Sequence, residues 1–330
     1  MNFEKVKIFI FAYIKTMRLY YAFITGIAGW LGVSFYYDVR SRTHGAAMSE
    51  SDYWREGLIL VMLFASWGIN QVVNDWLGLD EDRINAPNRP MVTGELNPKW
   101  ALRVSAVLMG ITIVISYVLN PFSIVPVVAG LVLNVVYNHS KAWGLWGNVI
   151  FGLMISNCTL YGFLASGPTP TPLVTSNRLC ALFLVALMNG LMTYYTYFKD
   201  YKGDRAAGKK TFIVRYGLDT ARKVGILGAF LPTFAFFFFR SMDWMPFPYT
   251  EYFIYCGTMT VFLQIWTAVR FYRYPVGPKA FFSNATNFRA CACGQVALIS
   301  IFNGILALYL FSITYVFIGF LFGLQDDVKG

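Results

Sequence analysis

The apolar run Leu58–Ile69 passes without a break into NQVVNDWLGLDEDRINAPNRPMVTGE, residues 70–95, and the reading of this stretch decides the fold. A segment long enough to cross a bilayer ends here in two asparagines and four acids. An ionised group at membrane depth costs roughly 3 kcal/mol or more, so these side chains need partners. On a helical wheel of about 100° per residue, Asn70, Gln71, Asp75, Gly78, Glu81 and Asp82 share a face with Asn74, and Asp80 points the other way. The carboxylates gather where free helix carbonyls already make the potential negative, and a divalent cation would relieve that repulsion. Hard oxygen ligands suit magnesium; the alternative is a solvated helix end whose acids pair with Arg83 and Arg89.

The rest of the chain places this segment in a membrane. Its 330 residues are 57% hydrophobic and 13% charged, which predicts an all-α polytopic membrane protein. Apolar stretches of about 20 residues predict a bundle of nine transmembrane helices near 19–37, 56–79, 100–119, 121–138, 145–166, 178–199, 221–239, 251–272 and 290–323, the last long enough to tilt. The net charge of +10 does not indicate nucleic acid, because the cations sort by membrane side. With the amino terminus in the cytoplasm, 21 of the 27 Lys and Arg lie on that side, which predicts amino terminus in and carboxyl terminus out. Residues 1–18 read as an amphipathic cytoplasmic lead-in to a single domain covering residues 1–330. The five cysteines are isolated or one residue apart, so neither a zinc site nor a disulfide framework is indicated.

Span six repeats the pattern of span two. Asn189, Thr193, Thr196, Tyr197, Asp200 and Asp204 form a polar stripe ending in two carboxylates at i and i+4, provided Gly203 does not stop the helix first. Both acidic ends run into basic loops, Arg83 and Arg89 after the first and Lys209 and Lys210 after the second. Carboxylates hold magnesium, magnesium holds a diphosphate, and Lys and Arg neutralise the remaining phosphate charge. The apolar bundle would take the lipid tail of such a substrate. Trp67, Trp76, Tyr194, Tyr195 and Tyr197 are near enough in sequence to offer ring faces to an allylic cation, each worth ~1–2 kcal/mol when desolvated. A cation transporter would instead hold its acids near mid-membrane.

These motifs resemble those of the UbiA superfamily of intramembrane prenyltransferases. The second cluster, Asp200, Asp204, Arg205 and Gly208, is similar to the family's second aspartate-rich motif. Asp82, Arg83, Asn85, Pro87, Arg89 and Pro90 resemble the tail of the first, and Tyr137, Lys141, Asn148 and Gly152 a further family pattern. The resemblance implies nine helices, Mg2+ as cofactor, a prenyl diphosphate as donor, a lipophilic acceptor that is aromatic or itself isoprenoid, and membrane lipid as a partner. It also implies roles: Asn74, Asp82, Asp200 and Asp204 catalytic and metal-binding; Asn70, Arg83, Arg89, Lys141, Asn148, Tyr197 and Lys209 substrate-binding. The departure is Gly78, where the family pattern has its middle acid; Asp75 or Glu81, on the same face, are the candidates to replace it as metal ligands. The remodelled motif also resembles divergent members that act as terpene cyclases, so cyclisation of a prenyl diphosphate is the alternative activity.

Overall fold

The computed structural model describes residues 3–44 and 50–324. The chain opens with α1 (Phe3–Met17), a 3-10 turn at Leu19–Tyr21, α2 (Ala22–His44) and α3 (Glu50–Leu77). Short helices α4 (Leu79–Asn85) and α5 (Pro90–Thr93) lead to α6 (Pro98–Leu119), α7 (Ile124–Ser140), a two-residue strand β1 (Trp143–Gly144) and α8 (Trp146–Ala165). Then come α9 (Ser176–Ala206), β2 (Lys210–Thr211), α10 (Phe212–Gly228), α11 (Leu231–Ser241), α12 (Glu251–Arg273), α13 (Pro278–Ile299) and α14 (Gly304–Gly323). Among the described residues, nine segments are long and apolar enough to cross a membrane. The fold is an all-α membrane bundle.

Its centre is α8, packed between α2 and α9. Without a hydrophobic driving force between helices in lipid, small residues set how closely backbones approach. A Cβ on Gly162 would sit 2.1 Å from the Gly29 carbonyl oxygen, and one on Gly152 2.2 Å from that of Ala186. Gly152 therefore seats α8 on α9, which is a packing role. The longest helix, α9, runs through Gly203 without stopping, so Asp204 stays on the face of Asp200. The chain turns away later, at Gly208, where φ is +71°.

The expected last span, 290–323, is two antiparallel helices. Asn303 caps α14 by accepting from the Leu306 N–H, and the chain reverses between Ile299 and Gly304. The Arg289 Nε donates to the Tyr315 carbonyl at 2.8 Å, and Phe288 meets Phe322 edge-on. Because α13 carries Ser283, Asn284, Asn287 and Gln295, all buried, its hydropathy masks a full-length helix enclosed by α2, α9, α12 and α14. Phe322 then reaches Tyr20, with ring centroids 4.1 Å apart. Both ends of the described chain thus lie at one end of the bundle, which corrects the expected opposite placement; residues 325–330 themselves lie outside the described part.

Candidate active site

At that same end, α3, α4, α7 and α9 surround a polar cavity of about 90 Å³. Its charged lining comprises the carboxylates Asp75, Glu81, Asp82, Asp200 and Asp204 and the cations Arg18, Arg89, Lys141, Lys199 and Lys209. The two acidic helix ends, more than a hundred residues apart in sequence, form one site.

The loops are held over it by local devices. Strands β1 and β2 pair in parallel, Trp143 with Lys210 and Gly144 with Thr211, which brings the segments carrying Lys141 and Lys209 side by side. The Lys209 Nζ lies 2.5 Å from the Glu81 Oε2, joining the loop after α9 to α4. Arg89, just before Pro90 at the start of α5, turns back to pair with Asp82 and lies 3.5 Å from Asp75. On the other wall, the Asn138 amide donates to the Asn74 Oδ1 at 2.7 Å and its own Oδ1 accepts from the Lys141 Nζ at 3.2 Å. Burial, reinforced by the charge of Lys209, pushes the Lys141 ammonium down to about 8. Asp82 is raised above the ordinary carboxylate range because burial outweighs the nearby Arg89.

Arg18 comes from a different part of the chain. It sits at φ 49°, between α1 and the 3-10 turn, and this backbone conformation accompanies a guanidinium 2.7 Å from the Asp75 Oδ1. Gln71 donates to the same oxygen at 2.6 Å. Asp75 is therefore occupied by protein donors, and its expected role as replacement metal ligand finds no support in this geometry. Glu81 faces the cavity but is paired with Lys209.

Six of the residues singled out in the sequence lie elsewhere or act differently. Arg83 is exposed and pairs with Asp80, 3.2 Å away, outside the cavity. Asn148 bridges α8 to the Gly190 carbonyl of α9. Asn70 lines a second, largely apolar cavity of about 90 Å³ between α3, α6, α7 and α8. Tyr194 and Tyr195 turn away, donating to the carbonyls of Ala221 and Gly225, and Trp76 is exposed. Trp67 and Tyr197 do reach the polar cavity, joined by Tyr21 and Tyr137. Trp67 lines both cavities and stacks on Tyr21 with centroids 4.3 Å apart. Arg18, Lys199 and Tyr21 also line the cavity, and no motif in the sequence singles them out. Lys199 was marked only by its place beside Asp200, and Arg18 only by being the last cation before the first span.

The residues fit magnesium at α9. Among the described residues no three acidic, histidine or cysteine side chains converge on one point. Magnesium, however, uses one or two protein carboxylates and completes its octahedron with water and phosphate oxygens. Asp200 and Asp204 supply such a pair; Asp204 is 6% exposed and forms no ion pair among the described residues.

Comparison with known proteins agrees with this architecture. Residues 44–291 match the model of the UbiA prenyltransferase family. The digeranylgeranylglyceryl phosphate synthase of Thermococcus kodakarensis is 28% identical over 68% of this chain and 76% of its own length. That of Thermococcus sibiricus is 29% identical over 51% of this chain, which spans only 58% of that relative. The bacteriochlorophyll synthase 33 kDa chain of Rhodobacter capsulatus is 26% identical, over 54% of this chain and 62% of its own. Among solved structures, a UbiA homologue from Aeropyrum pernix superposes with a TM-score of 0.63 at 16% identity, covering 89% of this chain and 98% of its own. Another, from Archaeoglobus fulgidus bound to DMAPP and Mg2+, gives 0.57 at 15% identity, covering 87% and 98%. The chain is a member of the UbiA prenyltransferase family.

Proposed function

We propose that the chain transfers a prenyl group from its diphosphate to a lipophilic or aromatic acceptor, with Mg2+, in the polar cavity. The observation that carries this reading is a pair of cavities with Trp67 as a common wall, one charged and also lined by Tyr21, Tyr137 and Tyr197, the other largely apolar. A prenyl diphosphate has the matching parts, an anionic head, an allylic carbon and a hydrocarbon tail.

Asp200 and Asp204 would hold the metal, which supplies charge neutralisation of the diphosphate as its bond to the allylic carbon breaks; Asp82, paired with Arg89, lines the same cavity. Arg18, Arg89, Lys141, Lys199 and Lys209 surround the same space and bind phosphate oxygens. Tyr21, Trp67, Tyr137 and Tyr197 present ring faces to the developing allylic cation, each contributing ~1–2 kcal/mol in a site with little water. Gly147 lets Tyr197 take its place: a Cβ there would lie 2.7 Å from the Tyr197 hydroxyl. The relatives named as digeranylgeranylglyceryl phosphate and bacteriochlorophyll synthases, and the neighbour bound to DMAPP and Mg2+, support an isoprenoid donor. The bias of Lys and Arg supports a mouth on the cytoplasmic side.

One feature favours a second reading, a terpene cyclase. Gly78 separates α3 from α4 and leaves the middle motif position without a side chain. Purified protein incubated with Mg2+ and geranyl, farnesyl or geranylgeranyl diphosphate, with and without extracted membrane lipid as acceptor source, separates the two. The transferase reading expects the diphosphate to persist until acceptor is added. Conversion to a cyclic hydrocarbon or alcohol without acceptor would establish the cyclase instead.

A further inference from the structure

The apolar cavity beside Trp67 is closed at the end away from the charged mouth. Along α3 its lining runs from Asn70, nearest the mouth, to Met62, a distance of about 12 Å at 1.5 Å per residue. At the far end stands Tyr161 of α8, which lines the cavity and is 6% exposed. Its hydroxyl lies 3.1 Å from the Ser116 Oγ of α6 and 3.6 Å from the Met62 Sδ of α3, so three helices are tied at one point. Val33, Ile59 and Ala165 share a buried cluster with it, and Arg55 donates to the carbonyls of Leu119 and Ala165.

We propose that Tyr161 is the floor of a tail pocket and sets the length of prenyl chain the donor can carry, which rests on the prenyl-diphosphate reading above. An isoprene unit has four chain bonds of about 1.5 Å and so extends at most ~5 Å. A pocket of this depth holds two extended units and a third only when folded, so the donor class is a diphosphate of about ten to fifteen carbons rather than twenty. A longer chain has to displace the Tyr161 ring, because the side chains behind it are close-packed. Displacement also strips a buried hydroxyl of its partners where no water replaces them, so the ring resists it.

The probes are geranyl, farnesyl and geranylgeranyl S-thiolodiphosphate, analogues whose bridging sulfur suppresses ionisation, titrated with Mg2+ into the purified protein in detergent. The quantity read is the ratio of geranylgeranyl to geranyl affinity, because detergent partitioning of the longer chain is common to all variants and cancels between them. Tyr161→Ala removes the floor and should raise that ratio at least about tenfold over the wild type. Tyr161→Phe keeps the ring and should leave it within about twofold. Met62→Ala opens the same end from a partly buried position, should also raise the ratio, and decides the matter if Tyr161→Ala does not fold. A wild-type ratio in the folded variants, with the geranyl analogue still bound, would mean that the tail leaves the cavity sideways or lies elsewhere; it would overturn the floor and leave the donor reading standing. If no analogue binds the wild-type protein more tightly than inorganic diphosphate, the donor reading itself fails and the floor with it.

Discussion

The Arg18 guanidinium lies 2.7 Å from the Asp75 carboxylate, with Gln71 and Arg89 on the same side chain, so the segment before the first span is tied to the end of α3. Asp75 is held by three protein donors in this arrangement. Removing one partner of a buried ion pair leaves the other charge uncompensated, at a cost of about 3–5 kcal/mol. Asp75→Asn is expected to lower the thermal stability of the purified protein by an amount in that range, with less than about a twofold change in the Mg2+ concentration giving half-maximal rate. A Mg2+ requirement raised tenfold or more at unchanged stability would return Asp75 to the metal.

Arg83 and Arg89 are six residues apart and face different surroundings, solvent for the first and the polar cavity for the second. Arg89→Ala should raise the KM for prenyl diphosphate by about tenfold, the scale of one lost charge-assisted contact. Arg83→Ala should leave it unchanged within about twofold. Steady-state kinetics of the two variants check this; equal effects would mean that the loop binds phosphate as a whole.

Lys141 gives a pH dependence whose sign follows from its surroundings. Burial and the neighbouring Lys209 lower its pKa to about 8, so its charge is present below pH 8 and lost above it. Binding of a prenyl diphosphate measured without metal should therefore weaken as pH rises from 7 to 9. Lys141→Arg, which keeps its charge throughout, should flatten that slope. An identical slope in both proteins would assign the titration to another group.

Much of this architecture was legible in the chain because it rests on local periodicity. The spans follow from apolar runs, and Asp200 and Asp204 share a face because they are one turn apart. Where the reading failed, the determinant was tertiary. Whether Gly203 stops the helix before Asp204 is open in the sequence; α9 continues to Ala206 and the positive-φ residue is Gly208. Residues 290–323 read as one span because the reversal at Ile299–Gly304 lacks proline and the polar residues of α13 lower its hydropathy, although they are buried against other helices. Asp75 shared a wheel face with the other acids, but its partner Arg18 is 57 positions away, beyond the reach of any local pattern. Helical phase places Tyr197 alone of the three tyrosines on the acidic stripe, and it does line the cavity; that Tyr194 and Tyr195 are held away by the carbonyls of α10 is a tertiary contact.

The central claim is that Asp200 and Asp204 activate the diphosphate. Its most direct measurement is a single-turnover assay of diphosphate release with saturating Mg2+, prenyl diphosphate and acceptor, comparing the wild type with Asp200→Asn and Asp204→Asn. Removing a carboxylate from the metal pair takes away activation and little packing, so both variants should stay folded and lose at least about a hundredfold in rate. Wild-type release rates in both folded variants would contradict the account.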